Sequence, residues 1–261
     1  MNNNILRQFF VIFTTIFALI MNGAANGIPL NGRNTGEISD NFKVIFVPAG
    51  YVFAIWGLIY LGLIAYTVYH SLPGQRTNPL LIKTGWIVSL SSIANGAWIY
   101  FWHYGYYAIT LLVMLILLGS LLTIYLRLNI GRTKFSLANK WLISIPFSTY
   151  LGWITVATIA NATALLSYLG WDSWGISDIA WTLIMLGAAV LIAGLMSFTR
   201  SDIAFSLVLV WAFIGISVRW LSLPPVNIAG FAAAAIVLLL LLLSRILPSA
   251  QKQRERILTS M

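Results

Sequence analysis

Residues 146–166 read PFSTYLGWITVATIANATALL, a stretch without a single charged side chain. About 20 predominantly apolar residues cross the hydrocarbon of a bilayer as a helix, so this stretch predicts a membrane span. Its interior nevertheless holds Tyr150, Trp153 and Asn161. Hydrocarbon offers no partner to an amide or an indole N–H. At about 100° per residue, Tyr150, Trp153, Ala157 and Asn161 fall within about 80° of arc on one face. That face is expected to meet protein or a ligand, not lipid.

The rest of the chain supports the membrane reading. Of 261 residues, 60% are apolar and only 8% charged, with a mean hydropathy of +0.89. Soluble domains carry about 25% charged residues. Nothing alternates like an outer-membrane strand. The expected fold class is an all-α integral membrane protein, a polytopic helical bundle of about eight transmembrane helices. The predicted spans are 5–26, 44–69, 80–102, 106–126, 141–168, 179–198, 203–221 and 227–247. A cytoplasmic N-terminus then puts Arg7, Arg76, Lys83, Arg127, Arg132, Lys134, Lys140, Arg200, Arg245, Lys252, Arg254 and Arg256 inside. Only Arg33, Lys43 and Arg219 remain outside. This distribution follows the positive-inside bias and predicts both termini on the cytoplasmic side.

Three further features bear on organisation. Arg7, the apolar run after it and Gly23-Ala24-Ala25 also fit a cleavable signal peptide; the expectation adopted is a retained helix. The connection 27–43 is polar and is expected to cap one end of the bundle. Near residue 170 the character changes, from helices rich in Trp, Tyr, Asn and Ser to the Ala- and Leu-rich GFAAAAIVLLLLLLSRIL, which suits lipid contact.

The polar-aromatic face of 146–166 has counterparts. Asn95, Trp98 and Trp102 have similar helical spacing on the third span, and Phe53, Trp56 and Tyr60 on the second. Small and polar residues commonly bind membrane helices together, and Trp and Tyr near helix ends commonly form interfacial belts. Three matched stripes of large flat side chains point instead to a lined pocket, since such side chains hold helices apart. Aromatic walls with a few polar groups suit a hydrophobic ligand.

At these residues the chain resembles the TspO/translocator-protein family, the tryptophan-rich sensory proteins. PAGYVFAIWGLIY supplies Pro48, Phe53, Trp56 and Tyr60, and NGAWIYFW supplies Asn95, Trp98, Phe101 and Trp102. YLGWITVATIAN supplies Tyr150, Leu151, Trp153, Ala157 and Asn161. The resemblance covers roughly residues 5–168 and departs from the family pattern in places. Phe53 to Trp56 is one residue short, a double proline is reduced to Pro48, and Pro146 precedes the expected position. It implies a five-helix unit over 1–168 with an outer loop over a pocket for tetrapyrroles, sterol-like and drug-like molecules. Residues 169–261 would add three helices and a basic tail. By resemblance the ligand-binding residues are Phe53, Trp56, Tyr60, Asn95, Trp98, Trp102, Tyr150, Trp153 and Asn161, serving sensing, sequestration or passage of a ligand.

Other chemistry finds little support. Cys is absent, which removes thiol catalysis and Cys-ligated metal. Glu37, Asp40, Asp172, Asp178, Asp202 and Glu255 all fall in connections or at helix ends, unlike the intramembrane acids of proton-coupled pumps. No catalytic residue is expected. His70 and His103 lie at opposite ends and cannot share a metal; His103 is a weak candidate to ligate a tetrapyrrole metal, the reading adopted being an interfacial His hydrogen-bonded to loop backbone, since a lone His carries no ligand spacing of its own. Arg219 is expected to snorkel, or to meet an anionic ligand group. No cofactor is required, a tetrapyrrole being a ligand. The expected partners are the lipid bilayer and a hydrophobic small molecule, not nucleic acid, since the basic residues sit in short connections. A homodimer or a membrane-complex partner stays open. So do two further functions, a transporter of a neutral or amphipathic solute and a non-catalytic subunit of a larger membrane complex.

Overall fold

The computed structural model describes residues 3–42 and 44–247. Lys43 and the tail carrying Lys252, Arg254, Glu255 and Arg256 therefore lie outside the described residues. Within them the chain is helical and contains no strand. Eight long helices run through the bundle: α1 (Asn3–Gly27), α3 (Ile55–Ser71), α4 (Pro79–His103), α5 (Tyr107–Arg127), α6 (Ile145–Tyr168), α7 (Asp178–Arg200), α8 (Ile203–Arg219) and α9 (Pro224–Ile246). A short helix, α2 (Thr35–Asp40), lies in the connection after α1.

Helix starts follow local chemistry. Asn78 accepts from the Leu80 N–H ahead of Pro79, Ser177 from that of Ala180 and Asp202 from that of Phe205. Side-chain oxygens there satisfy amides that have no partner within the helix, and proline fits the first turn because it lacks an N–H to orphan. The second predicted span needs correction. Residues 44–49 are not helical, Gly50–Ala54 form a 3₁₀ turn and α3 begins only at Ile55. Pro48 explains this, since proline disfavours helix at the residue before it and donates no hydrogen bond. The segment is still enclosed: Phe46 and Val47 are buried, and the Ala49 N–H donates to the Gly215 carbonyl on α8 at 3.0 Å. Non-helical backbone in a membrane bundle survives only under such protein cover.

Six long helices are apolar and extended enough to cross a membrane by themselves. The other two are α4, which carries Ser89, Ser91, Ser92 and Asn95, and α8, which has 17 residues. Each packs between two neighbours, α4 between α1 and α5 and α8 between α6 and α9; on α4 the polar Ser89, Ser91, Ser92 and Asn95 are buried there while Trp86, Leu90 and Ile93 face outward. A helix covered by protein can be polar or short without exposing its backbone to lipid. The protein is a polytopic helical membrane protein.

Helices α7–α9 pack onto α1–α6 mainly through α8 against α6. Gly152 allows this approach: a Cβ there would sit 3.1 Å from the Phe205 carbonyl oxygen and from Val208. Asp202, read from sequence as part of a connection, is 7% exposed. Its Oδ2 accepts from the Tyr125 hydroxyl at 2.8 Å and the Ser148 hydroxyl at 2.6 Å, tying α8 to α5 and α6.

Charge divides by end. Arg7 donates to the Arg76 carbonyl, Arg127 to that of Lys83, Arg132 to that of Thr199 and Arg245 to that of Ser201. These bonds gather the basic connections at one end. The opposite end, beneath α2, holds Arg33 and Arg219.

Candidate functional site

The three stripes converge toward the α2 end. On α3 and the turn before it, Trp56 stacks on Tyr60 with ring centres 5.4 Å apart, and its ring meets Tyr150 at 6.0 Å and Trp153 at 6.2 Å on α6. Phe53 meets Trp153 edge-on at 5.9 Å. On α4, Trp98 stacks on Trp102 at 5.6 Å. Edge-to-face and offset contacts of this kind add about 0.5–1.5 kcal/mol each beyond burial. They make a stiff aromatic wall between α3 and α6.

A polar floor joins the same helices. The Tyr60 hydroxyl donates to Asn22 Oδ1 at 2.5 Å, and Asn22 Nδ2 donates to Asn95 Oδ1 at 2.5 Å and to the Ala18 carbonyl. Here the polar residues do bind helices together. Elsewhere they do not. Trp98 Nε1, Trp153 Nε1 and both amide atoms of Asn161 are buried without a hydrogen-bond partner. The Tyr150 hydroxyl lies beside the Asn95 amide but outside hydrogen-bonding geometry, leaving that hydroxyl and Asn95 Nδ2 unpaired too. Leaving a buried polar group unsatisfied costs about 1–3 kcal/mol; Arg7 Nε, the Tyr66 hydroxyl and both His70 ring nitrogens share this state toward the basic end.

The open space lies beside this wall. A cavity of about 460 Å³ is bounded by Asn22 and Asn26 of α1, by Asn34, Thr35, Gly36, Glu37 and Asp40 of the lid, by Gly50, Phe53 and Trp56, and by Ile99 of α4. Its size falls within the range of about 300–1,000 Å³ usual for small-molecule sites. Of the nine residues expected to bind a ligand, Phe53 and Trp56 line it. Tyr60 and Asn95 reach it through Asn22. Trp98, Trp102, Tyr150, Trp153 and Asn161 stand behind the lining and are buried. Asn22 and Asn26 are additional lining residues; in the sequence they flank the small residues 23–25 at the end of an apolar run, without the aromatic spacing that marks the other stripes.

Helix α2 forms a lid with its own local order. Asn34 accepts from the Glu37 N–H, and the Glu37 carboxylate accepts from the Asn34 N–H, a reciprocal cap. Trp102 Nε1 donates to the Thr35 carbonyl at 3.3 Å, and Phe42 packs on the Trp102 ring. His103 is not available as a metal ligand. Its Nδ1 meets the Leu30 carbonyl at 3.0 Å and its Nε2 the Thr35 hydroxyl at 3.2 Å, so both ring nitrogens hold the lid. No group of His and acidic side chains able to hold a metal ion occurs among the described residues.

Arg219 reaches the partly exposed α2 end of the bundle, as a snorkelling side chain does, and meets there a carboxylate of this chain. It pairs with Asp40 at 2.7 Å and donates to the Pro48 carbonyl, joining lid to α8. Because the pair is partly exposed, it contributes less than about 1 kcal/mol. Arg219→Ala should therefore raise hydrogen exchange in residues 33–42 up to about fivefold, with α4 and α5 unchanged. Exchange unchanged across the lid would remove the latch from the account.

A family model described as TSPO-like protein matches residues 8–243. The chain belongs to the TSPO-like family. The match runs beyond the motif-bearing residues 5–168, through α7 and α8 and into α9. No curated protein matches the chain, and no solved structure does. As a TSPO-like chain it is a multi-pass membrane protein of the ligand-binding and transport kind.

Proposed function

We infer that this protein binds a flat, mostly apolar ligand beneath α2, with tetrapyrroles the first class to consider. The observation carrying this reading is the set of buried polar groups without a hydrogen-bond partner on Trp98, Trp153 and Asn161, beside an aromatic wall. Residues serving only as interhelical glue would hydrogen-bond one another, as Asn22, Tyr60 and Asn95 do. In this reading Phe53 and Trp56 supply stacking area at the cavity. Small shifts of Trp153 and Trp98 open the space behind them to a ring system, and the amides and the Tyr150 hydroxyl orient its polar edge. Helix α2 excludes water, and both termini face the cytoplasm with the basic end.

One observation favours a second reading. Glu37 and Asp40 line the cavity together with Asn22, Asn26 and Asn34, an environment better matched to a neutral or amphipathic solute than to propionates. Transport of such a solute, with α2 as gate, is the alternative.

The test is tryptophan fluorescence of purified protein titrated with protoporphyrin IX, corrected for absorption by the ligand. Saturable quenching is expected, with affinity reduced about tenfold by Trp56→Leu, equal to about 1.4 kcal/mol of lost stacking and burial. Trp153→Phe and Asn161→Ala should weaken it as well. Linear quenching indifferent to all three substitutions in folded protein would defeat the tetrapyrrole reading. Solute uptake into sealed vesicles would then test the alternative.

A further inference from the structure

A larger cavity, about 550 Å³, lies at the same end of the bundle between α6, α7 and residues 44–46. None of the nine ligand-binding candidates lines it, so it stands or falls independently of the reading above. Its cause is topological: α7 packs on α8 and α9, and no close packing joins it to α6. The gap between them is walled by apolar side chains, among them Ile45, Phe46, Leu166 and Met185.

The rim of this cleft is unusual in composition. Trp171, Trp174 and Trp181 all line it, with ring centres 5.2–5.9 Å apart and planes inclined by 52° to 83°. Rings so inclined form a corner of aromatic faces instead of a stack. Trp181 is fixed there by its Nε1 bond to the Ser173 carbonyl at 2.9 Å. Asp178, in the first turn of α7, also lines the cleft and makes no ion pair among the described residues. Between residues 141 and 199 there is neither Lys nor Arg, while Asp172 and Asp178 both fall there. The cleft thus joins an apolar slot to an aromatic, negatively charged rim, with no Lys or Arg among the described residues that line it.

That combination suits one ligand chemistry. Aromatic faces attract a cation within about 6 Å, and quaternary ammonium groups, which cannot donate hydrogen bonds, depend on such faces most. The Asp178 carboxylate supplies the opposite charge, and the apolar slot takes hydrocarbon. We propose that the α6–α7 cleft binds a choline-headgroup phospholipid, its ammonium among Trp171, Trp174, Trp181 and Asp178 and an acyl chain between Leu166 and Met185.

The test uses the full chain in nanodiscs of equal phosphatidylcholine and phosphatidylglycerol, extracted gently into maltoside detergent and weighed by native mass spectrometry. Wild-type protein should retain phosphatidylcholine over phosphatidylglycerol by about fivefold or more. Asp178→Asn, a change at an exposed carboxylate that leaves the fold intact, should bring the ratio below about twofold. Trp174→Leu, at a ring 74% exposed, should lower it as well. Equal retention of the two headgroups by the wild type would overturn the proposal, as would a ratio untouched by Asp178→Asn in protein with an unchanged melting temperature.

Discussion

Replacing Asp202 by Ala is expected to lower stability by about 3–5 kcal/mol, on the scale of breaking a buried charged network. Three donors converge on this carboxylate: the Tyr125 hydroxyl, the Ser148 hydroxyl and the Phe205 N–H. Tyr125 and Ser148 are each 1% exposed, so neither can turn to water when the carboxylate is removed. Loss of the helix cap alone contributes about 1 kcal/mol, and two stranded hydroxyls supply the rest. Asp202→Asn keeps a carbonyl oxygen to accept from part of this set and should lose less than the Ala variant. Reversible unfolding in mixed micelles, followed by circular dichroism, measures both. An Ala variant within about 1 kcal/mol of wild type would show that water or a relaxed turn replaces the carboxylate. The consequence reaches the cavity, because α8 also carries Trp211, Gly215 and Arg219, which hold residues 48–54 and the lid.

Asp202 also marks the limit of what the sequence conveys. A carboxylate in a turn looks solvated, and nothing local announces that Tyr125 and Ser148, 77 and 54 residues away, close over it. The Asp40–Arg219 pair was hidden for the same reason. By contrast, the spans and the meeting of α3, α4 and α6 were legible. Apolar runs fix where helices cross, and Asn95, Tyr150 and Asn161 have nowhere to point but inward. The Trp56, Tyr150 and Trp153 contacts follow from that constraint. The position of the open space does not: it depends on rotamers and on α1, whose Asn22 and Asn26 lie in a run that reads as ordinary membrane anchor. A lone imidazole leaves open whether its nitrogens meet backbone or metal; the bonds of His103 to the Leu30 carbonyl and the Thr35 hydroxyl match the loop-bonding reading. Residues 44–49 were read as helix because burial, which their apolar side chains do reveal, differs from helicity, which Pro48 forbids.

Gly215→Ala is expected to disturb both stability and ligand binding, and it tests whether α8 helps to build the cavity. A Cβ on Gly215 would lie close against Val52 Cγ2 and 3.1 Å from Pro48 Cβ. Val52 is fully buried and β-branched, so its methyl has little freedom to swing aside. The crossing segment must move instead, straining the Ala49 N–H to Gly215 carbonyl bond and the Trp211 Nε1 to Val52 carbonyl bond, each 3.0 Å. Overpacking of this kind costs about 1–3 kcal/mol. Gly50 and Phe53, in the same turn, line the cavity, so protoporphyrin IX should bind the variant more weakly. Gly215→Ala with Val52→Ala frees the space the new methyl needs, and should recover most of both losses against Val52→Ala alone. Such recovery would tie α8 to the geometry of the ligand site through one contact. If Gly215→Ala were neutral, or the double variant no better than the sum of the two, segment 48–54 would hold its shape without the Gly215 contact, leaving Arg219 and Trp211 as the ties between α8 and the first cavity.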